Sequence, residues 1–438
     1  MRAHVPPAWA KASILLLFLT FLPVFAGVPD FSLTVLHHGD NGAFAMGDID
    51  GDGRKDIVVA RGPQPLQWLS YPSLQSHSIA EGGDIWMEVQ AGDVDGDGDC
   101  DVLAPEITAK QVFWWENPAK GGDRNAPWVR HPVGSWDDGF PHDFKVGDIN
   151  GDGKPDAVLR IQGTREFRVF LNGADGVWQT VRLNLAFGNG EGTAVGDLDG
   201  DGDLDISDGL VWLETPADPV HGAWIRHDFN TGFGSPQTRV AIADVNKDGR
   251  MDIVVSPSDT SLSLKTAWYE SSTPKSGPWI EHIVMPAGRA AYVHSLQIGD
   301  IDQDGYPDIL TGADHRGSKE MLIYYDKDHG RGDLWQEQAW ETPHGVWQAV
   351  LADVNGDGFP DILSSDDVNQ SDQELWLSSG SRASIFRSAG PDVESKSLQD
   401  SPPWIFRKGS RRYNLVGKRQ SDVSASVIVS PEASPYFK

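Results

Sequence analysis

The sequence predicts an all-β fold, a seven-bladed β-propeller, and three observations lead there. A nine-residue acidic stretch occurs seven times, its copies start 45 to 56 residues apart, and each lies between short apolar, β-prone runs. That period is the length of one four-stranded blade, so seven copies give seven blades. A length of 438 residues would otherwise allow two or three domains; the repeat overrides that expectation.

The acidic stretch supplies the first element of each blade. Its first copy runs from Asp48 to Asp56, and the others begin at Asp93, Asp148, Asp197, Asp244, Asp300 and Asp353. Every copy has Asp or Asn at positions 1, 3 and 5, Gly at 6 and Asp at 9. The candidate ligands are therefore Asp48, Asp50, Asp52 and Asp56; Asp93, Asp95, Asp97 and Asp101; Asp148, Asn150, Asp152 and Asp156; and Asp197, Asp199, Asp201 and Asp205. The last three copies add Asp244, Asn246, Asp248 and Asp252; Asp300, Asp302, Asp304 and Asp308; and Asp353, Asn355, Asp357 and Asp361.

Alternate oxygen-bearing side chains on a tight loop converge on one point, and Ca²⁺ takes about six to eight oxygens at roughly 2.3–2.6 Å. The carbonyl of position 7 adds to that shell, and Gly at 6 allows the sharp turn with φ > 0. Half of this pattern matches an EF-hand loop. The other half does not, because an EF-hand needs Glu at position 12 and flanking helices, whereas position 12 of the first copy is Val59. Runs such as 349–352 before one copy and 252–255 after another are β-like. Each loop is thus read as a hairpin turn stabilised by Ca²⁺, with up to seven sites; a metal-free acidic turn is the plainer alternative.

Net charge is -28, which argues against nucleic acid and anionic membrane as partners. Arg2 and Lys11 precede an apolar run over 12–26 that ends in Val24-Phe25-Ala26, the pattern of a secretory signal peptide over 1–26. The run is short for a membrane span of about 20 residues, so the mature chain is expected to have none. Cys100 is the sole cysteine, so no intrachain disulfide supports the exported fold.

Within each unit the strands recur in order. A first enters the loop, as at 144–147, and a second leaves it, as at 156–159. A third carries aromatics, as at 112–116 and 266–270, and a fourth reads Trp128 to His131, Trp224 to His227 or Trp279 to His282. The seventh unit has three such strands, ending near Leu377, while 31–37 resembles a fourth strand without a blade. That segment is expected to complete blade seven, removing an open edge. The propeller then occupies 27–380. Beyond it, 381–438 holds ten Lys and Arg against five Asp and Glu and few apolar groups, and is expected to be a disordered basic tail.

Seven Asp-x-(Asp/Asn)-x-Asp-Gly-x-x-Asp loops at this spacing resemble the FG-GAP/VCBS repeat proteins, with a propeller of the integrin α-chain N-terminal type. The resemblance covers about 31–380 and implies Ca²⁺ at the positions named, on one face of the disc. It leaves function open, since the fold is shared by adhesion modules, glycan binders, polysaccharide lyases and a sugar dehydratase.

Recurrence separates scaffold from site. His77, His131, His227 and His282 repeat in the fourth strands, with His37 or His38 in the same role, and Trp68, Trp115, Trp178, Trp212 and Trp376 repeat between blades; all are read as structural. His142, His294 and Glu191 instead share one register, six residues before a loop's first Asp, and do not recur in every blade. They are expected to enter the central funnel from the face opposite the loops. His142, Tyr292 and His294, with Arg289, Arg239 or Arg316, supply the types needed to abstract a proton α to a carboxylate and neutralise the enolate. Some propeller polysaccharide lyases resemble this in using central His, Tyr and Arg. The same histidines with Glu191 are also transition-metal ligand types, and a solvated polar funnel is the plain alternative.

Trp86, Trp136 and Trp347 lie in the non-repeating links, where flat aromatics beside charged groups suit a sugar ring. With Glu191, His315, Arg316 and His344 they form the expected ligand contacts. The functional expectation is a secreted monomer binding extracellular polysaccharide or a cell-surface protein on that face; a carbohydrate lyase or sugar dehydratase is the alternative.

Overall fold

The last aspartate of each acidic loop is also the first residue of a strand, and that coupling lays out the sheets. A computed structural model describes residues 29–380, apart from 30, 39–41, 61, 63, 119–125, 174–175, 185–189, 231, 333, 343 and 366–373, together with 406–408 and 411–413. The expected signal peptide, the side chains of His37, His38 and Trp376, and most of the expected tail lie outside the described residues.

Seven antiparallel sheets result, and in six of them the strands follow sequence order from the axis outward. The inner strands are Ala43–Gly47, Gln90–Gly92, Phe140–Gly147, Ala194–Gly196, Thr238–Ala243, Val293–Gly299 and Gln348–Ala352. Strand two begins at the position-9 aspartate in every blade, from Asp56–Ala60 to Asp361–Ser365. In the seventh sheet the fourth place belongs to Phe31–His38, which lies antiparallel to Glu374–Gly380 with Phe31 opposite Gly380. Blade six is wider: Phe406–Lys408 and Arg411–Tyr413 add to its outer strand, Trp335–Glu341, with Phe406 opposite Trp340.

Second and third strands are covered on both faces, which is why they read as unbroken apolar runs: Asp252–Pro257 is buried throughout. Fourth strands alternate, leaving Val129, Ile225 and Ile280 about half exposed on the rim. Among the described residues there is no single core. Seven apolar clusters occupy the seven gaps between consecutive blades, for example Trp68, Trp115 and Trp128 between blades one and two, or Phe44 and Leu375 between blades one and seven. Each buried Trp therefore seals two sheets, the largest apolar area a single residue can contribute.

The recurring histidines belong to this scaffold. His77 stacks on Trp68 at 4.2 Å, His131 on Trp114 at 4.4 Å, His227 on Trp212 at 4.2 Å and His282 on Trp268 at 4.1 Å. Among the described residues no helix is long and apolar enough to cross a membrane.

Candidate metal loops and axial site

In all seven loops the position-9 carboxylate sits at the root of the turn and accepts the N–H of position 2, from Ile49 to Asp56 at 3.0 Å through Val354 to Asp361 at 3.0 Å. In blades one to four and six its other oxygen accepts an N–H at the end of strand three, from Tyr71, Asn117, Asn172, Thr215 and Asp326. This residue fastens the turn to its own sheet.

Positions 1, 3 and 5 each spend one oxygen on the loop backbone. In every copy position 1 accepts the N–H of position 6, position 3 that of position 5, and position 5 that of position 7. Short carboxylates and carboxamides make such local bonds; in loops two, three, four, five and seven the other oxygen of position 1 also accepts a loop N–H, and the aspartates at positions 3 and 5 have a second oxygen that Asn150, Asn246 and Asn355 lack. The position-6 glycines have φ from 86° to 100°, the left-handed region that a Cβ disfavours.

The residues fit a divalent cation. Carboxylate oxygens of Asp48, Asp50 and Asp56 lie within 4.8 Å of one another, as do those of Asp93, Asp95 and Asp101, of Asp197, Asp199 and Asp205, and of Asp300, Asp302 and Asp304. Oδ1 of Asp48 and of Asp300 is buried without a hydrogen-bond partner. Burial, opposed by the backbone donors, pushes Asp56 and Asp156 up to about 6, Asp101 and Asp252 to about 7, and Asp205 and Asp308 to about 8. A hard cation would relieve both the desolvation and the crowding of like charges.

The axial site lies at the other end of the inner strands. Blades two to seven surround a cavity of about 470 Å³ lined by Met87, His142, Thr193, Arg239, His294 and Trp347 among others. Polar side chains tie neighbouring inner strands together: Gln348 receives the Phe44 N–H at 3.1 Å and donates to its carbonyl at 3.0 Å, and Glu88 accepts the Phe144 N–H at 2.9 Å.

His142 and His294 occupy equivalent irregularities. The pairing of strand one with strand two slips between Pro141 and Asp143 in blade three and between Val293 and Ser295 in blade six, so each histidine is the extra residue of a bulge. A bulge re-aims side chains, and here it lets His142 and Asp143 both reach the axial cluster.

Arg239 joins them. Its guanidinium donates to Asp143 Oδ1 at 3.0 Å, lies 3.5 Å from Glu191 Oε2, donates to the His294 carbonyl at 2.8 Å and meets the His294 ring at 3.1 Å. His142 lies 3.2 Å from Asp143 Oδ2 and 3.5 Å from Glu191 Oε1, and Ser258 donates to Glu191 at 2.6 Å. His294 stacks on Trp347 at 3.8 Å. One buried network thus links blades three to seven.

The other expected site residues separate into groups. Tyr292, with φ 52°, lies beside the cluster with Arg316 over its ring at 4.8 Å, and Arg316 also pairs with Asp259 and Asp314. Those two acids and His294 have the reach of a metal site, but a guanidinium already lies against both carboxylates. Arg289 is elsewhere, held by Glu320 at 2.8 Å and by Glu337 of the outer strand of blade six at 2.9 Å. Trp136 is 3 % exposed inside the cluster between blades two and three, leaving no face for a ligand. Trp86 is half-buried against Gly62 and donates to Asp84; His315 and His344 are partly exposed. Asp143, not anticipated from sequence, is buried at the centre; its only signal is a charge at the mouth of an apolar strand.

Burial would lower His142, but Glu191 and Asp143 outweigh it and hold the imidazolium above the ordinary value. Burial and Arg239 push His294 well below it, and His142 and Arg239 hold Asp143 well below the carboxylate range despite burial. The stabilisation from His142 is full below pH 6.5 and lost as pH rises through its raised value; that from Asp143 is present above 3.8 and lost as pH falls through its depressed value. In an NMR titration of nitrogen-labelled histidine, His142 and His294 should titrate on opposite sides of 6.5. Two midpoints both at the ordinary value would remove this account of the cluster.

Seven blades built on four strands, the sixth widened by two more, with an acidic hairpin turn in each define a repeat propeller with oxygen-rich, cation-type loops. The chain belongs to the FG-GAP-like repeat family, whose profile matches residues 48–104, 93–159, 148–206, 244–311 and 300–364. It is similar to integrin alpha pat-2 of Caenorhabditis briggsae, 31% identical over 258 residues, which is 44% of this chain and 21% of that one. It is also 37% identical to integrin alpha-6 of Gallus gallus over 136 residues, 28% of this chain and 12% of that one. The match thus spans about 21% of the first of these curated relatives and 12% of the second. The crystal structure of BBS1N in complex with ARL6DN, soaked with lead, superimposes with a TM-score of 0.50 over 81% of this chain and 99% of that one, at 9% identity. At that identity the likeness shows the fold alone.

Proposed function

We propose that the protein is a secreted, calcium-stabilised propeller that binds an extracellular polysaccharide or a cell-surface protein on the face opposite its acidic loops. One observation carries the reading: on that face the chain departs from its own repeat. Trp86, Tyr292, His315, Arg316, His344 and Trp347 all lie in links that differ from blade to blade, and of these Trp347 lines an axial cavity of about 470 Å³. Similarity to integrin alpha chains supports an extracellular binding role, and oxygen-only loops support Ca²⁺. A signal peptide over 1–26, a propeller over 27–380 and a basic tail over 381–438 complete this reading.

A lyase finds less support. The rings of His142 and His294 are engaged with Asp143, Glu191 and Arg239, and Arg289 lies at the rim of blade six. Among the described residues the cavity-lining imidazoles and the Arg239 guanidinium are already engaged with one another and with these acids.

The test presents the full chain, in Ca²⁺, to immobilised polysaccharides and cell-surface proteins. Trp347→Ala and Arg316→Ala should each weaken retention about tenfold or more, since interface Trp and Arg dominate binding energy. Wild-type retention by the double variant, with unchanged thermal unfolding, would place the ligand elsewhere. Absorbance from unsaturated uronate products in the same samples would establish elimination chemistry in its place.

A further inference from the structure

We infer that Lys275 and Lys327 are built-in competitors for the divalent cation in loops four and six, so those two loops take up a metal only by displacing their own ammonium. The inference rests on the calcium reading of the loops proposed above.

The position-3 carboxylate spends Oδ1 on the N–H of position 5, from Asp201 to Asp199 and from Asp304 to Asp302. Oδ2 is the oxygen left for an ion. In loop four Lys275 Nζ lies 2.7 Å from Asp199 Oδ2 and 3.9 Å from Asp201 Oδ2. In loop six Lys327 Nζ lies 2.5 Å from Asp302 Oδ2, and His329 Nε2 lies 3.8 Å from Asp304 Oδ2. The side chains of Asp199 and Asp302 are 1% and 0% exposed, so water does little for either charge.

The same atom of the repeat is thus reached from two unrelated directions. Lys275 comes from the turn that follows Thr266–Glu270 in blade five, and Lys327 follows Glu320–Asp326 within blade six itself. An ion bound at about 2.3–2.6 Å from that oxygen would occupy the space of the ammonium, so the two exclude each other. Lys275 has somewhere to go: it already lies 2.8 Å from Glu214 Oε1, and its side chain is 44% exposed. Loading loop four therefore moves Lys275 wholly onto Glu214, at the end of the third strand of blade four, whereas an unloaded loop keeps one cation against its acids.

Isothermal titration of the metal-stripped full chain with calcium chloride tests this. Lys275→Gln and Lys327→Gln should each strengthen one site about tenfold, because affinity in such loops follows the charge left to the cation. Lys275→Arg, which keeps a competing cation, should stay close to wild type. Glutamine variants whose isotherms superimpose on a calcium-binding wild type would overturn the competition alone. A wild-type chain that takes up no calcium would overturn the loop reading with it.

Discussion

Replacing Arg239 with Met should lower stability by about 3–5 kcal/mol, the usual cost of removing one partner from a buried ion pair. The loss follows from what stays behind. Asp143 and Glu191 are each 2 % exposed, and without the guanidinium the cation in contact with both is His142. Arg239→Lys should recover part of the loss, because an ammonium can hold one carboxylate but cannot reproduce the fork that reaches Asp143, Glu191 and His294 together. Urea unfolding followed by tryptophan fluorescence reads the difference. A change below about 1 kcal/mol for Arg239→Met would mean the axial network is a solvated surface feature worth no more than an exposed pair.

Chelating calcium should cost more still. A ligand held only by the native state adds about 2.7 kcal/mol per site at a hundredfold excess over its Kd, and several loops act on one fold. The effect should also depend on pH, in a sign that the loop aspartates fix. Their folded pKa values are raised, to about 6 for Asp56 and about 8 for Asp308, so the metal-free fold is favoured while they are protonated and loses stability as pH rises through 6 to 8. The rise in melting temperature on adding Ca²⁺ should therefore be larger at pH 8 than at pH 6. Calorimetry in calcium and in chelator, with metal content measured on both samples, decides it. Equal melting curves with the metal shown to be removed would end the proposed stabilising role.

Most of the architecture was legible because a repeat multiplies a weak signal. One Asp-rich turn carries little information, but seven in register fix the strand that follows each, and hence the sheet. The site was legible in part. His142, His294 and Glu191 share a register in the sequence, and His142 and Glu191 lie 3.5 Å apart. What sequence could not show was the pair of bulges at the histidines, because an extra residue in a strand leaves no mark in an alternation this short. Nor could it show Arg239 as the hub, since Asp143 lies two blades away and 96 positions apart in the chain. Arg289 and Trp136 were placed by proximity in the chain, yet blade geometry sends one to the rim and seals the other between sheets.

The pairing of Phe31–His38 with Glu374–Gly380 has a temporal consequence. The partner of the first strand is among the last of the propeller to leave the ribosome, about 350 residues and, at roughly 5–20 residues per second, about 20–70 seconds later. Throughout that wait the strand is an unpaired edge, and blade seven offers another once it forms, so the nascent chain has a long window for pairing with the wrong neighbour. Six blades can assemble from contacts local in the chain. The ring as a whole is completed only at the end, making its final step the slowest and the most exposed to aggregation.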